Sequence, residues 1–263
     1  MAAATAGRCS KARSVSPLDD LSRECGKLYT DIESIALGRE TVMKLYSRPL
    51  SPYSSIVRAL AYIKDVPLKI IAPPPGFPIP EAFRAISPMN RIPVLITGSG
   101  ETIVESVVIA EYLEERFPEP ALLPPDSKDR ALVRMFARIT DLDVLTPMMK
   151  LFELHFVPKR NNAEIDAQFA RLHHGLAAIE ARMAQGPFAL GNDISFADAW
   201  LTPTRFIFNN FRAMTGRHDL LDAYPKFDAY QQIASQHPAL SRVWGEMTDG
   251  LKISLTELEM GAA

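Results

Sequence analysis

Four prolines fall within the twelve residues Phe117–Lys128, at positions 118, 120, 124 and 125. Each removes a backbone N–H and fixes φ, so no helix or central strand can run through this stretch. It is read as a linker, because the patterns on its two sides differ. Before it, short apolar runs of strand length alternate with helical spacing. After it, strand signals fade and long helical patterns take over: Asp129–Phe156, Glu164–Gln185, Phe196–Thr215 and Pro225–Ser235, with a tail from Pro238. The expected division is an α/β unit over residues 43–120 and an all-α helical bundle over 127–255.

Within the first unit, Lys44–Tyr46 reads as a strand. Ser51-Pro52 opens a helix, since Ser caps well and Pro suits the first helical position. Ile56, Ala59, Leu60 and Ile63 continue that helix to Lys64-Asp65. Leu68–Ala72 reads as a second strand, stopped by Pro73-Pro74-Pro75-Gly76, and Pro80–Ile86 as one or two helical turns. Pro93–Thr97 and Thr102–Val104 flank Gly98-Ser99-Gly100 as a hairpin, and Ser106–Arg116 follows as a helix. The order is βαβ then ββα: a parallel pair joined by a crossover helix, plus an antiparallel hairpin. Residues 1–42 form an extension before Met43, read as flexible or as an over-called start, with a short helix around Leu28–Leu37. Its first residues are small, basic and polar without an apolar core, so they are not a secretory signal.

Composition excludes several classes of function. Lys and Arg total 29 against 31 Asp and Glu, a net charge of −2, which is not the profile of a nucleic-acid binder. No apolar run approaches the ~18 residues of a membrane span. The two cysteines, Cys9 and Cys25, both precede Met43. The remainder therefore has no disulfide framework, no thiolate metal ligand and no cysteine nucleophile. None of the five histidines falls in a metal-binding spacing, and no metal is expected.

Three short segments carry chemistry. Ser51-Pro52-Tyr53-Ser54 opens a helix, whose unpaired N–H groups stabilise an anion, a thiolate included; Ser51 serves equally as a plain cap. Arg91-Ile92-Pro93-Val94 brings proline into a strand. A cis bond there would turn the Ile92 main chain outward for a peptide-like ligand, and a trans proline would simply start the strand. Glu105-Ser106 stands at the next helix start, where Ser106 can hold a carboxylate or only cap.

In this order, the segments resemble the soluble glutathione transferases from Met43 to about residue 250. The resemblance rests on Ser51-Pro52-Tyr53-Ser54, on Ser87–Leu95, on Glu105–Leu113, and on Gly191–Asp198, where Ser195 and Asp198 match the family's helix-capping box. It implies a thioredoxin-like N-terminal domain followed by an all-helical domain. It also implies glutathione as co-substrate, with Ser51 as the activating hydroxyl and the Ile92 backbone ahead of a cis Pro93 pairing with the cysteinyl part. Glu105 and Ser106 would bind the γ-glutamyl end, with Arg91 and Ser54 beside these positions. Tyr46 and then Tyr53 are the alternative activating groups. Serine in place of cysteine at position 51 disfavours mixed-disulfide chemistry.

The implied activity is attack of a glutathione thiolate on a hydrophobic electrophile. That substrate would lie near Leu50, Tyr53 and the helix bearing Met148, Met149, Phe152 and His155, although methionines on a helix are more often core than pocket wall. The segments also resemble bacterial β-aryl etherases and the zeta class of maleylacetoacetate isomerases, and some relatives are non-catalytic binders. A cytoplasmic homodimer is the expected form.

Overall fold

The computed structural model describes residues 42–76, 78–158 and 161–261. The expected extension and its helix at Leu28–Leu37 therefore lie outside the described residues, apart from Val42. In Met43-Lys44-Leu45-Tyr46 the period-two alternation buries Met43 and Leu45 and exposes Lys44, which makes strand β1 (Met43–Tyr46). β2 (Leu68–Ile71) pairs with it in parallel, β3 (Val94–Ile96) antiparallel, and β4 (Thr102–Val104) closes a mixed sheet of order β2-β1-β3-β4. Thr97 N–H bonds the Glu101 carbonyl at 2.9 Å, so Gly98-Ser99-Gly100 is the hairpin loop that the glycines suggested.

Helix α1 (Pro52–Ile63) is the crossover between the parallel strands, and α2 (Ser106–Arg116) follows the hairpin. Between β2 and β3 the one or two helical turns expected over Pro80–Ile86 are a 3-10 helix, Glu81–Ala85. The rest is helical: α3 (Ser127–Ile139), α4 (Thr146–Phe156), α5 (Asn162–Glu180), α6 (Phe196–Thr215), α7 (Pro225–Gln236) and α8 (Pro238–Gly261). One apolar core runs through both parts, from Leu45, Ile56 and Leu60 to Phe136, Trp200 and Phe208. A thioredoxin-like α/β part followed by an all-α part is the fold.

The long helix expected over Asp129–Phe156 is divided. Thr140–Leu145 forms a π-helical turn between α3 and α4. Pro147 is the cause, because it has no N–H for the carbonyl four residues earlier and its ring crowds that carbonyl. That carbonyl is Asp143's, and it faces α5: a Cβ placed on Gly175 would lie 2.3 Å from it. Glycine at 175 thus lets α5 close on the turn. The helix expected over Glu164–Gln185 is likewise shorter, capped by Asn161 Oδ1 on the Glu164 N–H and ended at Glu180.

Two buried charged groups anchor the chain. Asp198, fully buried, accepts from the Ser195 N–H (2.8 Å) and Oγ (2.9 Å), the Ala189 N–H (2.9 Å) and the Tyr230 hydroxyl (2.8 Å). The capping box expected from Ser195 and Asp198 is present, and it also ties α7 to α6. Lys64, at the end of α1, pairs with Glu114 at 2.7 Å and donates to the Phe117 and Pro120 carbonyls, both at 2.7 Å. Glu114 Oε1 accepts from the Leu122 and Leu123 N–H groups. The proline-dense stretch, which cannot make its own ladder, takes its backbone partners from this ion pair.

Glu114→Ala should cost about 3–5 kcal/mol, since it strands a Lys64 side chain with no solvent exposure. Chemical denaturation reads that loss. A pair of glycine substitutions should move in opposite directions in thermal melts. Gly175→Ala drives a methyl into the Asp143 backbone and should cost about 1–3 kcal/mol. Gly245→Ala, on an open face of α8, should stabilise by about 0.5–1 kcal/mol.

Candidate functional site

The antiparallel register of β3 and β4 explains why two distant segments meet. Val94 pairs with Val104, so one residue beyond the ladder Pro93 stands opposite Glu105. The Ile92–Pro93 bond is cis, and Ile92 lies outside the ladder. Glu105 takes φ 70° and ψ 120° at the start of α2, a conformation that L-residues rarely adopt, and its side chain makes no capping bond. Such a backbone costs about 1–3 kcal/mol and persists where surrounding structure enforces it, often at a binding site. Ser106 follows at the first turn of α2 and is nearly buried.

These residues line a cleft of about 580 Å³ between the sheet part and the helices. Arg91, Ile92, Pro93, Glu105 and Ser106 are all in its wall, five of the seven expected site residues. The other two stand differently. Ser51 caps α1, its Oγ accepting from the Ser54 N–H at 3.3 Å, and it is not among the cleft-lining residues. The Ser54 side chain is fully buried, and its Oγ has no partner and does not face the cleft. Of the two tyrosines held as alternatives, Tyr46 packs edge-on against Phe83 (5.5 Å between centroids) in a small core with Ile79 and Val94. Tyr53 lines the cleft. Its hydroxyl lies 3.4 Å from Thr146 Oγ1, and burial pushes its phenol above the usual range.

The helical wall differs from expectation. Met148 is buried in the core, Phe152 packs edge-on against Phe211, and His155 faces a separate hollow with Phe169 and Met214. The wall comes instead from Arg138, Asp141, Leu142 and Thr146, at and around the π turn. The burial of Met148 follows the usual placing of helical methionines in a core, whereas the π turn ahead of Pro147 presents other residues to the cleft. The proline itself was the available signal, since an interior proline marks a break in register. Asp141 pairs with Arg138 at 2.5 Å, and burial raises its carboxyl above the usual range, with Arg138 opposing. The cleft therefore combines two guanidiniums, two carboxylates, one neutral phenol and a helix N-terminus, with Met89, Val107 and Val108 as apolar wall. Such a lining suits a small, zwitterionic or acidic peptide-like ligand beside an apolar group.

The approach to α1 is held from behind. Buried Arg58 donates to the Pro49 carbonyl (2.6 Å), the Arg48 carbonyl (3.3 Å) and Ser55 Oγ (2.7 Å), and pairs with Glu246 of α8 at 3.2 Å. Gly250 of α8 sits against the same turn, where a Cβ would come within 2.7 Å of Leu50 N. The turn that delivers Ser51 is thus set by side chains of both parts.

Comparison with known proteins agrees with this geometry. A family model described as "Glutathione S-transferase, N-terminal domain" matches residues 45–121, and one described as "Glutathione S-transferase, C-terminal domain" matches 162–230. The chain is similar to a maleylacetoacetate isomerase of Pseudomonas aeruginosa, 30% identical over 205 residues, covering 75% of this chain and 93% of that one. It is also similar to glutathione S-transferase 1 of Dianthus caryophyllus, 31% identical, covering 61% of this chain and 75% of the relative. Among solved structures, a maleyl pyruvate isomerase, described as a bacterial glutathione S-transferase in the zeta class, superposes with a TM-score of 0.64 at 29% identity. That match covers 76% of this chain and 95% of the other. With its sheet order, its paired Pro93 and Glu105 and its capping box, the chain belongs to the glutathione S-transferase family.

Proposed function

We propose that the chain is a glutathione-dependent transferase that binds glutathione in the cleft between residues 43–120 and 127–255 and presents its thiolate to a second substrate. The observation that carries this is the convergence of the Ile92 main chain with Glu105 and Ser106 across one wall of the cleft. In this reading the Ile92 backbone pairs with the cysteinyl residue of glutathione. Ser106 and the α2 N-terminus hold the γ-glutamyl carboxylate, as a helix start holds anions generally. Glu105 takes the ammonium group, and Arg91 the glycyl carboxylate.

Activation falls to Ser51. Its Oγ accepts from the Ser54 N–H, so its own proton is left to donate to a thiolate at the α1 N-terminus. A free thiol titrates near 8.5, and a helix end with one donor is enough to bring it close to neutrality. The thiolate then attacks the electrophile.

A second reading has specific support: catalysis of cis–trans isomerisation of an unsaturated acid. Two guanidiniums, Arg91 and Arg138, face the cleft, and two of the relatives are maleyl-type isomerases. In such a reaction the thiolate adds to the double bond, the resulting single bond rotates, and the thiolate is expelled, so glutathione returns unconsumed. Aryl-ether cleavage or conjugation consumes it.

The protein is proposed to act as a homodimer. A cytoplasmic setting, where glutathione keeps thiols reduced, suits this chemistry. No described helix is long and apolar enough to cross a membrane.

Binding to immobilised glutathione, followed by titration of thiolate absorbance, tests the first reading. Ser51→Ala should leave binding within a few-fold and raise the bound thiol's pKa by about one to two units, about 1.4–2.7 kcal/mol. An unchanged titration would remove Ser51 from activation, and binding without any thiolate near neutral pH would make the protein a binder only. Product analysis decides between the transferase and isomerase readings. With a maleyl-type acid, catalytic glutathione should suffice, and Arg138→Leu should raise KM for that acid about tenfold while leaving glutathione affinity unchanged.

A further inference from the structure

Tyr53 is the one phenol among the described residues that line the cleft, and its hydroxyl takes no part in the capping of α1 or in the glutathione contacts proposed above. Two residues beyond Ser51, it points about 200° round the helix axis from the cap, at ~100° per residue. Its ring packs against the core, and its oxygen meets Thr146 Oγ1 from the opposite wall. Each of these hydroxyls carries one proton. With Thr146 donating to Tyr53, the phenolic proton is left to point into the cleft. Arg91, Glu105 and Asp141 are the charged groups close enough to act on it, and burial keeps the phenol in its neutral, donating form.

We infer that the Tyr53 hydroxyl, oriented by Thr146, is the hydrogen-bond donor for the oxygen on which charge develops in the second substrate. The inference rests on the transferase reading above, and it assigns the substrate a class: electrophiles that receive the displaced electron pair on oxygen, such as α,β-unsaturated carbonyl compounds. The thiolate sulfur forms a bond to the β-carbon, the π pair moves to the carbonyl oxygen, and that oxygen accepts from Tyr53. The proton that left the thiol for solvent returns to the α-carbon, so neither oxidant nor further reactant is needed. Thr146 is a positioning residue in this scheme. It belongs to the segment displaced by the π turn, so the break at Pro147 is what brings it to Tyr53.

The test compares two electrophiles, a simple enone and an alkyl iodide, whose leaving halide gains little from a hydrogen bond. In Tyr53→Phe the ring and its packing are kept. The thiolate titration and KM for glutathione should match wild type, and turnover of the alkyl iodide should stay within about twofold. Turnover of the enone should fall about 10²-fold, the low end for loss of one oxyanion donor. Thr146→Val should give a smaller loss with the enone alone, and Thr146→Ser should restore it.

Equal losses with both electrophiles, or no loss with the enone, overturn the proposal. A raised thiol pKa in Tyr53→Phe also overturns it, by placing Tyr53 on the thiol. A wild-type protein that forms the thiolate and turns over the iodide but not the enone overturns this inference and leaves the transferase reading standing. Failure to bind glutathione at all removes both.

Discussion

The guanidinium of Arg58 is the interaction on which the arrangement of this protein most depends. It sits on α1 with 2% of its surface exposed, so its charge has lost nearly all of its water. Desolvation lowers its pKa from the usual arginine value, and Glu246 opposes that shift. A buried cation of this kind is tolerated only when its donors are filled. Here the two terminal nitrogens donate to the Arg48 and Pro49 carbonyls and two serine hydroxyls, and Nε faces the Glu246 carboxylate of α8 at 3.2 Å as a charge partner without a hydrogen bond. Glu246 in turn accepts from the Tyr62 hydroxyl at 2.8 Å, and Arg242 lies over the Tyr62 ring. The requirement to satisfy one charge therefore sets the β1–α1 turn, the start of α1 and the seat of the last helix together.

Lys64, two turns further along α1, has the same role for the proline-dense stretch. Prolines cannot donate, and residues between them have no regular partners, so this segment depends on external donors and acceptors. Lys64 and Glu114 provide both signs at once. Helix α1 thus acts as a spine: Tyr53 in its first turn faces the cleft, and the two buried cations hold the β1–α1 turn and the proline-dense stretch.

Much of this was legible in the amino-acid order, because its causes are local. Alternation in Met43–Tyr46, the Ser51-Pro52 helix start, the glycine-bearing hairpin and the Ser195–Asp198 box each depend on residues a few positions apart. So does the Glu105-Ser106 pair at its helix start. A local pattern misleads where it crosses a break in the chain's geometry. Apolar spacing from Asp129 to Phe156 suggests one helix, but Pro147 breaks it into two around the π turn, and Gly175 lets α5 close on that turn. Arg138, Asp141 and Thr146 face the cleft for that reason, and no periodicity within the segment marks them.

The amino-acid order alone was enough for the four strands, the hairpin and the helix starts at Ser51-Pro52, Ser106 and Ser195-Phe196, since capping, proline geometry and strand alternation act over a few bonds. Only the tertiary structure decided which of those residues share a cavity. The β3–β4 register brought Pro93 to Glu105. The π turn brought Thr146 to Tyr53. Packing against Phe83 took Tyr46 away, and helix geometry enclosed Ser54. Each of these is settled by contacts between residues distant in sequence, where close packing admits one arrangement and excludes its neighbours.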